Sequence, residues 1–214
     1  MTKTRFLVSL ASVIALAVML SDAALEPDTN PRENSLMHEV RDPIPPPPGA
    51  KEDCYNLSYY GDLTYYWTIP DQYDDDLFNT RFTPDGMRVC TLKTSWIGMY
   101  GSAFTGTPAM RVYLWETDGY GFPGARLDSI DIPYEQLPPG LGWVEVDWAG
   151  AGKNWVFRFG DEFHVGFTIL PSGPGDTLAV VFDDGYGPTC GEERSSIFFD
   201  NQFYSTKSFW GGGD

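Results

Sequence analysis

The 214-residue chain carries a formal net charge of −16, from 30 acidic and 14 basic residues. This acidity argues against nucleic acid and anionic membrane surfaces as partners, because their phosphates attract clusters of Lys and Arg. Neutral polysaccharides, cationic surfaces and divalent cations remain compatible with it, and the alternative is that the charge only keeps the protein soluble.

The first 24 residues have the pattern of a secretory signal peptide. Lys3 and Arg5 precede an apolar run over residues 6–20, and small residues at 21–24 supply a cleavage site. The run is shorter than the roughly 20 apolar residues that a membrane-spanning helix needs. We therefore predict export through a cleaved signal peptide to the extracellular space or periplasm, without membrane insertion afterwards; a signal anchor is the alternative.

Three cysteines, Cys54, Cys90 and Cys190, follow the predicted cleavage site. In an oxidising compartment, three cysteines permit one intramolecular disulfide and leave one thiol over. The sequence does not select the pair. The odd count indicates either an intermolecular disulfide or a fourth cysteine that this chain lacks.

Residues 25–50 form a Pro-rich linker that ends with four consecutive prolines at 45–48. Consecutive prolines favour an extended polyproline II spacer over packed structure. A Pro-rich ligand for a recognition domain is the alternative interpretation. The spacer interpretation predicts a folded module that starts near residue 51.

Residues 51–214 consist of short alternating segments separated by Gly- and Pro-rich turns. Period-two patterns, such as Met110, Val112 and Leu114 alternating with polar or aromatic residues, are typical of half-buried antiparallel strands. The pattern predicts an all-β domain, an antiparallel β-sandwich of jelly-roll type with about ten strands. The predicted strands are residues 63–69, 88–99, 110–115, 127–132, 143–148, 154–159, 162–169, 177–182, 195–200 and 202–209.

The chain ends in a segment that is typical of a turn before a strand. Residues 209–214 read Phe-Trp-Gly-Gly-Gly-Asp. Two interpretations stay open: a frayed tail, or a turn that leads into one more strand. The domain predicted at 51–214 therefore either is complete or lacks a last strand.

Catalytic candidates are few. His164 is the only histidine inside the domain, and we place it on the outer, polar face of a strand. No Gly-x-Ser-x-Gly elbow and no helical zinc-binding histidine pair occur. Glu145 and Asp147 share a strand face and could flank a sugar like the carboxylate pair of a glycosidase, but the polar face of an acidic sandwich is the explanation we favour. We assign no catalytic residue.

Acidic clusters in loops indicate a second kind of site. Calcium binds carboxylate and carbonyl oxygens in irregular loops, which secreted sandwiches supply readily. A solvated acidic loop is the alternative. The candidate ligands for a structural calcium ion are Asp74, Asp75, Asp76, Asp183 and Asp184.

Aromatic residues are abundant, with 7 Trp, 12 Tyr and 14 Phe. Exposed rings on a sheet face stack against the apolar faces of sugars, so Tyr113, Trp115 and Trp143 are candidate ligand-binding residues. Tyr113 and Trp115 share one strand face, and Trp143 lies opposite a set of apolar residues. The alternative is that these rings fill the core and pair across strands.

Four segments carry a resemblance to a loose class of proteins: residues 65–71, 112–116, 121–124 and 143–147. They look like parts of the β-sandwich accessory modules attached to large secreted bacterial proteins, such as extracellular peptidases and surface proteins. In such modules a closing strand follows a Trp-Gly turn, and this chain stops before one.

The resemblance implies an accessory or binding module and leaves the ligand open. Our leading hypothesis is a secreted, non-catalytic module that binds a polysaccharide or another cell-surface component, such as a surface protein. Two alternatives are a small glycan-active hydrolase or lyase that uses sheet-face carboxylates, and a structural part of a surface assembly.

Overall fold

The computed structural model describes residues 36–39, 63–70, 77–84, 89–100, 106–158, 160–170, 172–173, 176–183, 193–199 and 201–206. The chain divides into two compact units, residues 1–34 and 35–214, and all described residues belong to the second. The predicted signal peptide, most of the predicted linker, Cys54, Cys190 and the chain end lie outside them. Within these ranges, no helix is long and apolar enough to span a membrane.

The described elements are β-strands and one 3₁₀ turn at Tyr134–Gln136. Every described pairing between strands is antiparallel. The strands are β1 (Leu36–Glu39), β2 (Leu63–Pro70), β3 (Leu77–Phe82), β4 (Cys90–Thr91), β5 (Thr94–Tyr100), β6 (Ala109–Thr117), β7 (Pro123–Ile132), β8 (Leu141–Asp147), β9 (Val156–Phe157), β10 (Phe163–Leu170), β11 (Thr177–Asp183), β12 (Ser195–Phe199) and β13 (Gln202–Ser205).

The strands form two main sheets with jelly-roll connectivity. One sheet has the order β1-β2-β11-β5-β8, the other has the order β13-β12-β3-β10-β6-β7, and β4 pairs with β9 separately. The pairs β6–β7, β5–β8, β3–β10 and β2–β11 are nested one inside the next along the chain, as in a long hairpin wrapped into two sheets. This confirms the predicted jelly-roll-like β-sandwich.

The core lies between the inner faces of the two sheets. Met110, Val112 and Leu114 of β6 are fully buried, and Val144 and Val146 of β8 pack in the same cluster from the other sheet. These are the positions at which the period-two pattern predicts an apolar face, since alternate side chains of a strand point to one side. The predicted inner faces of β6 and β8 are thus confirmed.

The outer face of the six-stranded sheet is covered by its own edge. Phe203 of β13 lies 6.4 Å from Trp115 of β6, ring centroid to ring centroid. Three strands separate β13 from β6, which corresponds to about 19 Å across a flat sheet. The sheet therefore curls, and its β12–β13 hairpin folds over its outer face.

This covering corrects the prediction for His164. The residue does lie on the outer face, but only 1% of its surface is exposed. Residues 163–167 of β10 are all buried, because the core covers one side of the strand and the curled hairpin and nearby loop cover the other. The alternation of apolar and polar residues along the strand gives no sign of this second layer, the hairpin and loop over its outer face.

Three further differences concern element boundaries. The strand predicted at 88–99 is divided into β4 and β5. Strand β1 lies within the range for which the sequence predicts a linker, and it pairs with β2. Strand β3, which pairs with both β10 and β12, is absent from the predicted strands.

Cys90 forms no disulfide bond. It lies in β4, is half-buried and packs against the core cluster. We therefore expect alkylation of the unfolded, non-reduced protein to label Cys90, and peptide mass mapping to show any intramolecular disulfide between Cys54 and Cys190. A disulfide-linked peptide that contains Cys90 contradicts this expectation.

Candidate functional site

A cleft opens on the outer face of the six-stranded sheet. It lies between the β6–β7 loop (residues 118–122) and the start of β12, and encloses about 250 Å³. Ligand pockets generally measure about 300–1,000 Å³, so this cleft fits one small group rather than a whole drug-sized molecule. It is lined by Arg81 of β3, residues 120–122 of the loop, residues 193–196 and Ser205 of β13.

The β6–β7 loop is held by its first residue. The Asp118 Oδ1 atom accepts hydrogen bonds from the backbone N–H groups of Tyr120 (2.8 Å) and Phe122 (2.9 Å). The Asp118 N–H donates to the carbonyl of Phe122 at 2.8 Å, and Gly121 adopts a positive φ of 87° that favours glycine. This fixed loop places Tyr120, which is 89% exposed, at the rim of the cleft.

A buried polar network lies beneath this face. The Oδ1 atom of Asn79 is 2.8 Å from Nδ1 of His164 and accepts a hydrogen bond from Ser196 Oγ at 2.9 Å. The Asn79 Nδ2 group donates to the Ser196 carbonyl at 3.1 Å. Since an amide oxygen can only accept, we assign the imidazole proton to Nδ1. Nε2 of His164 is then a buried acceptor.

This Nε2 atom has no hydrogen-bond partner among the described residues, and the same holds for Arg81 Nε and Thr117 Oγ1. Burial, followed by the nearby guanidinium of Arg81, lowers the pKa of His164 to about 4. The imidazole is therefore neutral at ordinary pH.

The charges around the cleft are mixed. Nη1 of Arg81 lies 3.9 Å from Glu162 Oε2. Thr83 Oγ1 donates to Glu162 Oε1 at 2.9 Å and accepts from Arg194 Nη1 at 3.0 Å. Glu193, beside Arg194, also lines the cleft. The lining itself thus holds two guanidinium groups and one carboxylate, and it offers both donors and acceptors.

Tyr113 and Trp115 share one strand face, as predicted. Their ring centroids are 5.0 Å apart, and the guanidinium carbon of Arg126 lies 5.9 Å from the Tyr113 centroid. Trp115 is only 6% exposed because Phe203 covers it, so it offers little ring surface to a ligand. Tyr113 is half-buried.

Trp143 lies in the other sheet. It occupies β8, opposite Gly98 of β5, and is half-buried. The structure therefore does not bring it together with Tyr113 and Trp115. Its strand neighbours Glu145 and Asp147 are exposed, and Asp147 Oδ1 accepts a hydrogen bond from the Gly150 N–H at 2.7 Å. Neither carboxylate lines the cleft.

The calcium prediction falls largely outside the described residues. Asp74, Asp75, Asp76 and Asp184 lie outside them, and Asp183 is the last residue of β11, where only the backbone is described. The described part of the chain contains no group of three or more side chains suited to hold a metal ion. A structural calcium ion stays a prediction.

The sequence patterns do not mark the residues that line the cleft. Arg81 lies in β3, for which the sequence predicts no strand. Residues 118–121, Asp-Gly-Tyr-Gly, carry only the signature of a turn. The sequence does hold one signal for Tyr120: it is an aromatic residue in a turn between two glycines, and a side chain at the tip of a turn is usually exposed.

Comparison with known proteins finds solved structures that are similar to this chain at low sequence identity. No protein-family model and no curated protein matches the chain. A structure of the cysteine protease and lectin-like domains of Cwp84, a surface-layer-associated protein of Clostridium difficile, is 12% identical, with a TM-score of 0.49, over 86% of this chain and 33% of that chain. A structure of the clostridial cysteine protease Cwp84 after propeptide cleavage is 12% identical, with a TM-score of 0.44, over 85% and 37%. The chain spans about a third of the length of these structures.

Proposed function

We propose that the chain is a secreted, non-catalytic binding module whose cleft takes a sugar unit of a neutral polysaccharide. The observation that carries this proposal is the combination of an exposed Tyr120 on a hydrogen-bonded loop with a small polar cleft beside it that offers both donors and acceptors. The alternatives to a polysaccharide are other surface components.

The chemistry of the lining suits an uncharged polyhydroxylated group. A tyrosine ring is apolar on its faces and polar at its tip, so Tyr120 can cover the C–H face of a sugar ring. Arg81 and Arg194 donate hydrogen bonds, Glu193 accepts them, and the serine hydroxyls of residues 195, 196 and 205 do both. The mixture suits the alternating donors and acceptors of sugar hydroxyls.

The size of the cleft limits the contact. A volume of about 250 Å³ holds one small group, so a polymer must lie across the rim and insert one unit. We expect single-site affinity to be weak, since little area is buried. The proposal therefore favours binding to a polymer with many repeats, where multivalency adds avidity.

Replacing Tyr120 with Ala tests the proposal. We expect the affinity for the bound glycan to fall about tenfold, as for a single exposed aromatic contact worth about 1–2 kcal/mol. The measurement is isothermal titration against a panel of soluble neutral polysaccharides, run in calcium and again in EDTA.

Tyr134→Ala is the matched control. Tyr134 is 38% exposed on the 3₁₀ turn and does not line the cleft, so its removal should leave affinity unchanged. Equal losses in the two variants, or binding to no polysaccharide in either buffer, contradicts the proposal.

A further inference from the structure

We propose that His164 is an acid-sensitive latch that holds the β6–β7 loop closed over the outer face of the six-stranded sheet. The latch is a neutral imidazole sealed beneath the loop, beside a guanidinium group. Protonation of the imidazole destabilises the closed loop and favours an open one.

The geometry of the closed state supplies the argument. His164 lies directly opposite Arg81 in the register of β10 and β3, and 1% of its surface is exposed. Gly121 of the loop packs on the guanidinium of Arg81: a Cβ at Gly121 would lie 2.5 Å from Arg81 Nη1. The loop therefore sits on the Arg81–His164 pair.

Only one of the two ring nitrogens of His164 is hydrogen-bonded within the described part of the chain. Nδ1 is bonded to Asn79, whereas Nε2 lacks a hydrogen-bond partner there. The Gly121 carbonyl lies near enough to favour a protonated ring, but no hydrogen bond of ordinary geometry joins them. A proton added at Nε2 would thus be buried, and among the described residues no acceptor is placed to bond it with ordinary geometry.

The charged groups around His164 oppose that proton on balance. Arg81 faces it from β3 and disfavours the cation, while Asp118 favours it from the loop. Glu162, just before β10, accepts a hydrogen bond from Thr83 and lies 3.9 Å from Arg81, and Arg194, before β12, donates a hydrogen bond to Thr83. Trp115 of β6, Asn79 of β3 and Ser196 of β12 are uncharged.

Linkage gives the size of the effect. Opening of the loop hydrates His164, and its pKa then rises from about 4 towards the ordinary value of 6.5, which it reaches only if hydration is complete. The equilibrium constant for opening therefore rises by up to about tenfold for each unit by which the pH falls between these two values, or by at most about 300-fold in total. Tyr120 lies on the moving loop, so acid should also weaken ligand binding; that consequence rests on the proposed function, whereas the latch does not.

Amide hydrogen exchange by NMR tests the latch in the ligand-free chain. Opening here means that the loop unfolds: the N–H groups of Gly121 and Phe122 lose their acceptors on Asp118, and the N–H group of Thr117 at the base of the loop loses the Glu162 carbonyl. The protection of these three amides therefore reports on opening. We expect protection factors, corrected for intrinsic exchange, to fall about tenfold per unit from pH 6 to pH 4.5. The proposal is overturned if protection of the loop amides stays constant with pH while protection of the core amides falls. Opening of the loop would then be independent of protonation of His164.

His164→Asn is the control variant. Asn places an amide donor near the position of Nδ1 and cannot titrate, and the variant retains Asp118 and the other histidine, His38. We expect the steep fall in loop protection to disappear in this variant, and an unchanged slope overturns the latch. If the variant fails to fold, titration of the His164 ring signals in the wild type decides: an apparent pKa near 6.5 in the closed protein also overturns it.

Discussion

Replacing Gly166 with Ala is expected to lower the free energy of unfolding by about 3 kcal/mol. Gly166 lies in β10, opposite Asn79 of β3. A Cβ at this position would overlap the Phe78 carbonyl and the Asn79 Cβ, and would lie 2.8 Å from the Asn79 Cα. These atoms are backbone or next to it, so the methyl group is accommodated only if the central β3–β10 pairing shifts. The shift also displaces Asn79 from His164 and Ser196.

Gly119→Ala separates this steric effect from the general effect of a Gly-to-Ala change. A Cβ at Gly119 would meet no atom within 4 Å, and neither glycine has a positive φ. Both substitutions restrict the unfolded chain equally. We expect Gly119→Ala to change stability by less than about 0.5 kcal/mol in urea unfolding. Equal effects at the two positions contradict the close approach of β3 and β10.

The sequence predicts those parts of the fold that depend on one strand at a time. In β6 and β8, apolar residues alternate with polar or aromatic ones, and the buried residues are Met110, Val112, Leu114, Val144 and Val146. Side-chain direction in a strand is a local property, so the pattern alone is sufficient. Pairing of β6 with β7, which are neighbours along the chain, brings β5 and β8 close together, and repetition of this step outwards gives the nested pairs of a jelly roll.

The second layer on the outer face depends on contacts between distant segments. Phe203 covers Trp115 although 88 positions separate them in the printed sequence. No local pattern in β6 distinguishes a ring that a ligand covers from one that the same chain covers. For the same reason Trp115 satisfies the pattern of an exposed sugar platform and is nevertheless buried.

The residues that line the cleft also come from segments that are far apart in the chain. Its lining comes from β3, the β6–β7 loop and the β12–β13 hairpin, and β3 itself was not predicted. Arg81 and Arg194 become neighbours of Tyr120 only through the folding of the six-stranded sheet. The candidate site therefore follows from topology, whereas the sequence supplies only its turn chemistry, above all the Asp118 loop.

Acidification from pH 7 to pH 4 is expected to lower the free energy of unfolding by about 3 kcal/mol through His164 alone. The folded pKa is about 4, against 6.5 in the unfolded chain, so the unfolded state binds the proton first. Stability is therefore fully present above pH 6.5 and is lost progressively as the pH falls to about 4, at about 1.4 kcal/mol per unit. Urea unfolding at intervals of half a pH unit measures the loss.

The pH range separates His164 from the carboxylates whose pKa values the fold lowers. The hydrogen bond from Arg111 lowers the pKa of Asp131 below 3.8. Burial acts to raise the pKa of Asp128, but hydrogen bonds from Lys153 and Trp155 outweigh it and hold that value below 3.8 as well. The stability these two groups contribute is lost mainly as the pH falls below about 3.8, and it overlaps only the acid end of the range assigned to His164.

The His164→Asn variant should therefore lose about 3 kcal/mol less than the wild type between pH 7 and pH 4, and should follow it in parallel below that range. Parallel curves throughout contradict the burial of a neutral imidazole. A third result is a wild type that loses less free energy of unfolding than expected and whose loop amides lose protection at a higher pH than its core amides. This result shows that the proton enters through local opening of the β6–β7 loop, and that the sandwich beneath remains folded.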